Sequence, residues 1–351
     1  MKDNKKVLVV GAAGFIGTYL IDELLKNHFR VLAIDNNEIG RSHFEKQGVT
    51  FDLIDITNNQ DIQKLSDQAI DAVINLACVQ PANVSKEMYN PVDYINVNVV
   101  GTINLLEYCR ISKISKMIIA TSHRNTKGLW KEGRKIREDE GRSIDFSGEY
   151  AMFSISESAA EDCVAHYSSE YGIQGIVFRL SPVYGYGPHT VIFKNGVETI
   201  TGFKSFIDQA SSGRPIEIWG DPDIGRDIIY IKDVVNAFVL ALSSTTAKGL
   251  YNICSGRTLS LKQQAEETLK VFGKKEGDHE IIFRPERKNS IDPFLYDNGK
   301  AKRELGWSPK YSFSDLLMDY KMEMESGRFQ YLVEKRRQMF NKKYSSLITS
   351  K

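Results

Sequence analysis

The sequence predicts an α/β fold, a doubly wound parallel sheet with a smaller C-terminal lobe, and three observations carry that prediction. Short apolar runs recur along the first half of the chain, with room for one helix between most successive runs. A glycine-rich turn joins the first run to the first helical pattern. Beyond Val183 the rhythm breaks into glycine and proline punctuation.

In order, the runs are KKVLVV, FRVLAID, VTFDLID, DAVINLAC, KMIIATS and GIVFRLS, the last passing through Arg179. They are apolar nearly throughout, as strands covered on both faces must be. Residues 1–180 therefore read as one sheet domain, to which segments from about 225–255 return. Residues 181–325 read mainly as the second lobe, where VYGYGPH and SSGRPIEIWGDPDIGRD give loops and short strands. The stretch from His123 to Glu149 is polar, charged and glycine-containing, so a long loop is expected there, of a length that in compact domains is functional or disordered. The remainder, 326–351, is a basic tail in which RFQYLVEKRRQMFNKK reads as an amphipathic helix solvated on the surface.

Forty-six lysines and arginines nearly balance 45 aspartates and glutamates, which leaves no global field for drawing in nucleic acid or an anionic membrane. No segment is long and apolar enough to span a bilayer, and MKDNKKVLVVGAAG lacks the pattern of a signal peptide. Cys78, Cys109, Cys163 and Cys254 are scattered without CxxC spacing, so reduced thiols in a cytoplasmic protein are expected, with no metal site.

VLVVGAAGFIGTYLIDELL sets Gly11, Gly14 and Gly17 between the first strand and the first helix. Glycines there permit a tight turn, let backbone N–H groups approach a pyrophosphate at the positive helix end, and allow close helix packing. The next strand ends in Asp35, where a carboxylate accepts hydrogen bonds from an adenine ribose and repels a 2′-phosphate. The first domain thus reads as a Rossmann-type domain that prefers NAD to NADP.

GAAGFIG, the Asp55–Ile56 pair, NLAC from Asn75 to Cys78 and NVNVVGTINLLE from Asn96 to Glu107 resemble the extended short-chain dehydrogenase/reductases, the NAD-dependent nucleotide-sugar epimerases and dehydratases. The likeness runs almost end to end, through RLSPVYGYGP, GRDIIYIKDV, YNICSG and KAKRELGWSPKYS. It implies that Phe15 and Ile16 belong to the cofactor loop, that Asp55 and Ile56 contact the adenine, and that Ala77 lines the dinucleotide. Asn98 would support the active-site end of the sheet, or simply cap local backbone. The second lobe would bind a nucleotide-diphosphate sugar, with Arg226 on the diphosphate and Tyr184 in the substrate-side turn. Arg226 could equally pair with Asp227; Pro182 stands where many relatives have asparagine, and Arg284, Arg287 or neither supplies a second arginine. A homodimer through NVVGTINLLEYC and FSISESAAEDCVAHY is also implied.

In that family a serine or threonine, a tyrosine and a lysine four residues after the tyrosine handle protons. Ser122 matches the first. In GEYAMFSISESAAED, two anchors, Ala159-Ala160-Glu161 and Tyr171-Gly172, place Phe153 at the tyrosine and Glu157 at the lysine. Aligning Tyr150 instead requires three extra residues inside a helix and still gives Ser154 in place of lysine. A benzene ring cannot carry a proton, and a glutamate removes the charge that stabilises a phenolate. Tyr150, Glu157 and His123 are the nearby substitutes, each with an ordinary structural alternative. Two functions remain open at this point: an enzyme that oxidises C4 of a nucleotide-linked sugar with a displaced acid-base group, and a non-catalytic NAD- or sugar-nucleotide-binding regulator.

Overall fold

A computed structural model describes residues 5–81, 89–131, 133–194, 197–274, 276–277, 280–289 and 291–348. Its centre is a seven-stranded sheet of β1 (Lys6–Val10), β2 (Arg30–Asp35), β3 (Thr50–Leu53), β4 (Ala72–Asn75), β5 (Lys116–Ser122), β6 (Gln174–Leu180) and β7 (Gly249–Ile253). The order is β7-β6-β5-β4-β1-β2-β3 and every neighbouring pair is parallel. The six predicted runs are the first six strands, and the seventh comes from the returning segment.

Alternation along β1 explains the two-sided burial. Val7 and Val9 join one hydrophobic cluster, while Leu8 and Val10 join the other. On the Val7 side α1 (Phe15–Lys26) packs against α4 (Ile231–Ser243), and on the other side lie α2 (Gly101–Ile111) and α3 (Ala151–Glu170). Lys116 fastens α4 to the sheet: its buried Nζ donates to the carbonyls of Ala241, Leu242 and Ser244 at the end of α4. Cationic charge there complements the negative helix end.

The chain reverses direction across the sheet between β1 and β4, and a crevice at their C-terminal ends is where ligands enter such sheets. Beyond β6, Ile216–Trp219 runs parallel to Ile281–Arg284 and Gly225–Asp227 antiparallel to Thr258–Ser260.

The long connection between β5 and α3 holds 3₁₀ turns at His123–Leu129 and a short strand, Lys135–Ile136, paired with Leu295–Tyr296. Tyr296 Oη receives the Trp130 indole N–H and donates to the His123 carbonyl, tying this segment to the C-terminal part of the chain. The tail does form a helix, α5 (Gln330–Ile348), but its inner face is not solvated. Phe329 and Leu332 are fully buried, and Arg328 pairs with Asp22 of α1.

Candidate active site

The glycine turn is shaped by close contacts. Gly11 has φ +74°, and a Cβ there would lie 2.8 Å from the Ala77 nitrogen; one on Gly17 would lie 2.5 Å from the Ala12 carbonyl oxygen. Gly14 caps α1 without a side chain, and the first turn carries no acidic residue, so its N–H groups face the crevice uncompensated. Asp35 is buried at the tip of β2, with Oδ2 accepting from the Ala13 N–H (3.0 Å) and Oδ1 from Asn37 Nδ2 (2.5 Å). Burial raises its pKa to about 6 against these hydrogen bonds, which leaves it ionised at neutral pH.

Of the other residues expected to hold the cofactor, Ala77 donates its N–H to Asn75 Oδ1 and sits over Gly11. Asp55 Oδ1 accepts from the N–H and hydroxyl of Thr57, and Ile56 packs beneath Gly101. Phe15 stacks on His189 with ring centres 3.6 Å apart, and Ile16 packs against the core. Asn98, in a π-helical stretch (Ile95–Val100), accepts from the Val79 N–H and donates to Ser156 Oγ and the Val79 carbonyl, so it joins the loop after β4 to α3. α5 packs on 38–40 and 188–190, bringing the positive field of Arg336 to Asp35.

Ser122 ends β5, and its Oγ accepts the Arg124 N–H (3.2 Å) and lies 3.5 Å from His123 Nδ1. His123 packs against both Trp130 and Phe294, which also touch each other, with Nδ1 3.1 Å from the Leu180 carbonyl oxygen. Burial, with Arg124 and Arg226 beside it, pushes its pKa well below the usual histidine value, so the ring stays neutral. In α3, Phe153 is buried at 6% exposure and Glu157 at 5%. Burial, then the charge of Glu161, raises the Glu157 pKa to about 8, with Cys78 and the Ser122 backbone as its hydrogen-bonding neighbours. At neutral pH this position carries a protonated carboxyl. Tyr150 is the N-cap of α3, half-buried, with the Arg124 guanidinium 3.6 Å from its ring centre and the Phe153 ring edge-on at 6.4 Å.

Asp227 is buried, but its carboxylate takes the N–H and hydroxyl of Ser255 and the Gly256 N–H, not Arg226. Arg226 donates instead to Tyr184 Oη (2.8 Å), and its buried Nε has no hydrogen-bond partner. Tyr184 is held by Phe203, ring centres 4.4 Å apart. Pro182 contributes its carbonyl to the Ile229 N–H. Arg284 and Arg287 both reach Glu217, and Arg287 lies over Trp219, so the pair belongs to the outer strand end. Sequence reasoning missed Arg124 and Cys78; neither stands in a spacing that announces a role, and only the fold brings them to Tyr150 and Glu157. Among the described residues no group of three or more His, Cys, Asp or Glu side chains is placed to hold a metal ion.

A glycine turn at the sheet's switch point, followed by a buried carboxylate at the end of β2, defines a dinucleotide-dependent α/β enzyme. The chain belongs to the NAD dependent epimerase/dehydratase family, whose model matches residues 7–254. It is similar to the UDP-glucuronate 4-epimerase of Thermodesulfobacterium geofontis, 28% identical with 88% of this chain and 92% of that protein covered. Among solved structures it is similar to the UDP-glucose 4-epimerase of Thermotoga maritima with UDP-glucose, with TM-score 0.76, 24% identity, and 92% and 99% coverage. The UDP-glucuronic acid 4-epimerase of Bacillus cereus in complex with NAD gives TM-score 0.70, 25% identity, and 95% and 99% coverage.

The cofactor is NAD, and the residues present fit it: the close-packed turn at Gly11 and Gly17, the open first turn of α1 and the ionised Asp35 suit a pyrophosphate and a ribose without a 2′-phosphate.

Proposed function

We propose that this chain is an epimerase or dehydratase of a UDP-linked sugar, acting through C4, with its acid-base group moved from the Phe153 position to Tyr150. The observation that carries the substrate class is Arg226, a half-buried cation without an ion pair among the described residues and with an orphan Nε–H. A buried donor without a partner is costly, and a diphosphate oxygen satisfies it. The relatives' UDP-sugars supply the nucleotide. NAD, held by the glycine turn and Asp35, would supply the acceptor and donor of hydride for the C4 position. The chain's part is to hold the dinucleotide through the glycine turn and Asp35, to seat the diphosphate against Arg226 and Tyr184, and to accept the hydroxyl proton at Tyr150 Oη. Ser122, aligned by Arg124, orients that hydroxyl. His123, held neutral by burial against Trp130 and Phe294, supports the wall of the site.

Calorimetry with UDP-glucose, UDP-galactose and UDP-glucuronic acid on NAD-loaded protein tests this reading. At least one should bind, and Arg226→Ala should weaken it by roughly 10- to 100-fold, as expected for a charge-assisted contact. Binding of none would end the proposal. Phe153 and the uncharged Glu157 favour one other reading, a non-catalytic sugar-nucleotide-binding regulator. Product analysis by NMR separates them, because only the enzyme converts the ligand it binds.

The same reading makes the protein a cytoplasmic homodimer, with residues 1–180 as the NAD domain and 181–325 mainly the substrate lobe. Val100 and Ile111 at the ends of α2 and Tyr171 after α3 are exposed apolar side chains suited to a helix-to-helix interface.

A further inference from the structure

We propose that Arg124 supplies, from the loop after β5, the positive charge that the catalytic helix lacks at Glu157, by lying across the ring of Tyr150. The proposal rests on the reading of Tyr150 as the acid-base group, and three observations support it. The guanidinium carbon is 3.6 Å from the centre of the Tyr150 ring, a face-on contact. The Arg124 backbone N–H holds Ser122 Oγ at 3.2 Å, so one residue positions both groups. Among the described residues the guanidinium forms no ion pair, and its other aromatic neighbour, Trp130, is farther away at 5.9 Å.

Deprotonating a phenol spreads negative charge into the ring, so a cation on the ring face holds the phenolate more strongly than the phenol. The family's lysine delivers that charge from one helical turn further along; here it comes from a different element. In the step, the sugar hydroxyl proton passes to Tyr150 Oη while the C4 hydrogen leaves with its electron pair to NAD, and the carbon becomes a ketone. Arg124 acts through Tyr150 and is a positioning residue. Other charges also face the pair: Arg226, which opposes the Arg124 charge, and Asp292 and Glu149, which favour it. Tyr94 lies close enough to Tyr150 and Glu149 to feel both. Each of these groups contributes to where ionisation falls, and Arg124 is the cation on the ring face.

The test uses full-length, NAD-loaded protein with UDP-glucose and UDP-glucuronic acid, reading kcat and KM against pH for the unchanged protein, Arg124→Leu and Arg124→Lys. In parallel, NMR of ring-labelled tyrosine follows the ionisation of Tyr150, its resonance assigned with Tyr150→Phe. Arg124→Leu should move the kcat limb and the NMR midpoint upward together by about one pH unit. That is a ~10-fold loss of kcat on the acidic side of the limb, with KM little changed. Arg124→Lys should recover most of it. If Arg124→Leu does not fold, Arg124→Gln takes its place. A profile and a midpoint that stay put overturn the proposal and leave the functional reading standing. If neither sugar nucleotide is converted, the functional reading fails for these substrates and the NMR midpoint still decides: a shift with Leu but not Lys upholds the pairing, and no shift overturns it.

Discussion

The two ends of this active site are built to different rules. At the dinucleotide end, Gly11 and Gly17 meet their backbone neighbours so closely that a single added methyl group would collide with main chain, and Asp35 is pinned by the Ala13 N–H. At the proton-transfer end the helix frame is kept, with Asn98 on Ser156 and Thr121 on Glu161, while the two groups that would do chemistry are a buried benzene ring and a protonated carboxyl. Backbone approach to a pyrophosphate admits one solution at each position. A proton acceptor can be presented from any element whose side chain reaches the same point, which is why this end can change while the other does not.

The largest expected effect separates the two ends. Tyr150→Phe should lower kcat by about 10²- to 10⁴-fold, the range of general acid-base catalysis, and leave NAD affinity within about twofold. Asp35→Ala should do the reverse, weakening NAD and narrowing its preference over NADP while the limiting kcat with saturating NAD changes little. Steady-state kinetics and cofactor titrations on both variants check this. If Glu157→Gln, not Tyr150→Phe, removes kcat, the acid-base group is on the helix after all and the contrast between the ends dissolves.

A smaller effect concerns stability. Glu157 has its folded pKa raised from 4.5 to about 8, so between those values the unfolded chain releases the proton that the folded chain keeps. Stability therefore falls as pH rises from about 4.5 towards 8 and levels off above it. Glu157→Gln removes that contribution. The variant should match the unchanged protein near pH 4.5 and exceed it by ~2 kcal/mol or more at pH 8, since one pKa unit is about 1.36 kcal/mol. Urea unfolding of both proteins across this range checks the sign. Equal slopes would mean that Glu157 is hydrated and charged, and so available as a base.

The same contrast governs what could be read from the sequence. Strands β1 to β6 were legible because apolar runs of that length have one common use in an α/β chain, and the glycine turn was legible because its spacing encodes backbone geometry. β7 was visible only as part of a returning segment, since GLYNI is short and its place at the sheet edge beside β6 is a tertiary fact. The position of Tyr150 followed from helix register, but not its partner: Arg124 lies 26 positions earlier in a polar stretch, and nothing local distinguishes it from Arg134 or Arg137. The tail misled for the opposite reason. Its amphipathic stripe was visible, but its partners, Tyr19 for Phe329 and Asp22 for Arg328, lie on α1, more than 300 residues away.

The smallest expected effect comes from restoring the missing pair. Phe153 is packed edge-on to Tyr150, so a phenol at 153 would be added beside the one the proposed mechanism already uses. Glu157→Lys places an ammonium where Glu161 disfavours a negative charge, so the neighbouring carboxylate helps the cation that burial opposes. The double variant Phe153→Tyr, Glu157→Lys should therefore fold, bind NAD and show a kcat within about threefold of the unchanged protein, because a second phenol adds nothing once Tyr150 and Arg124 handle the proton. Rates with UDP-glucose and UDP-glucuronic acid, with thermal unfolding as the control for folding, decide it. A gain beyond about tenfold would mean that the proton-transfer end had lost its group and had not relocated it, and the dinucleotide end would then be the working part of a binding protein.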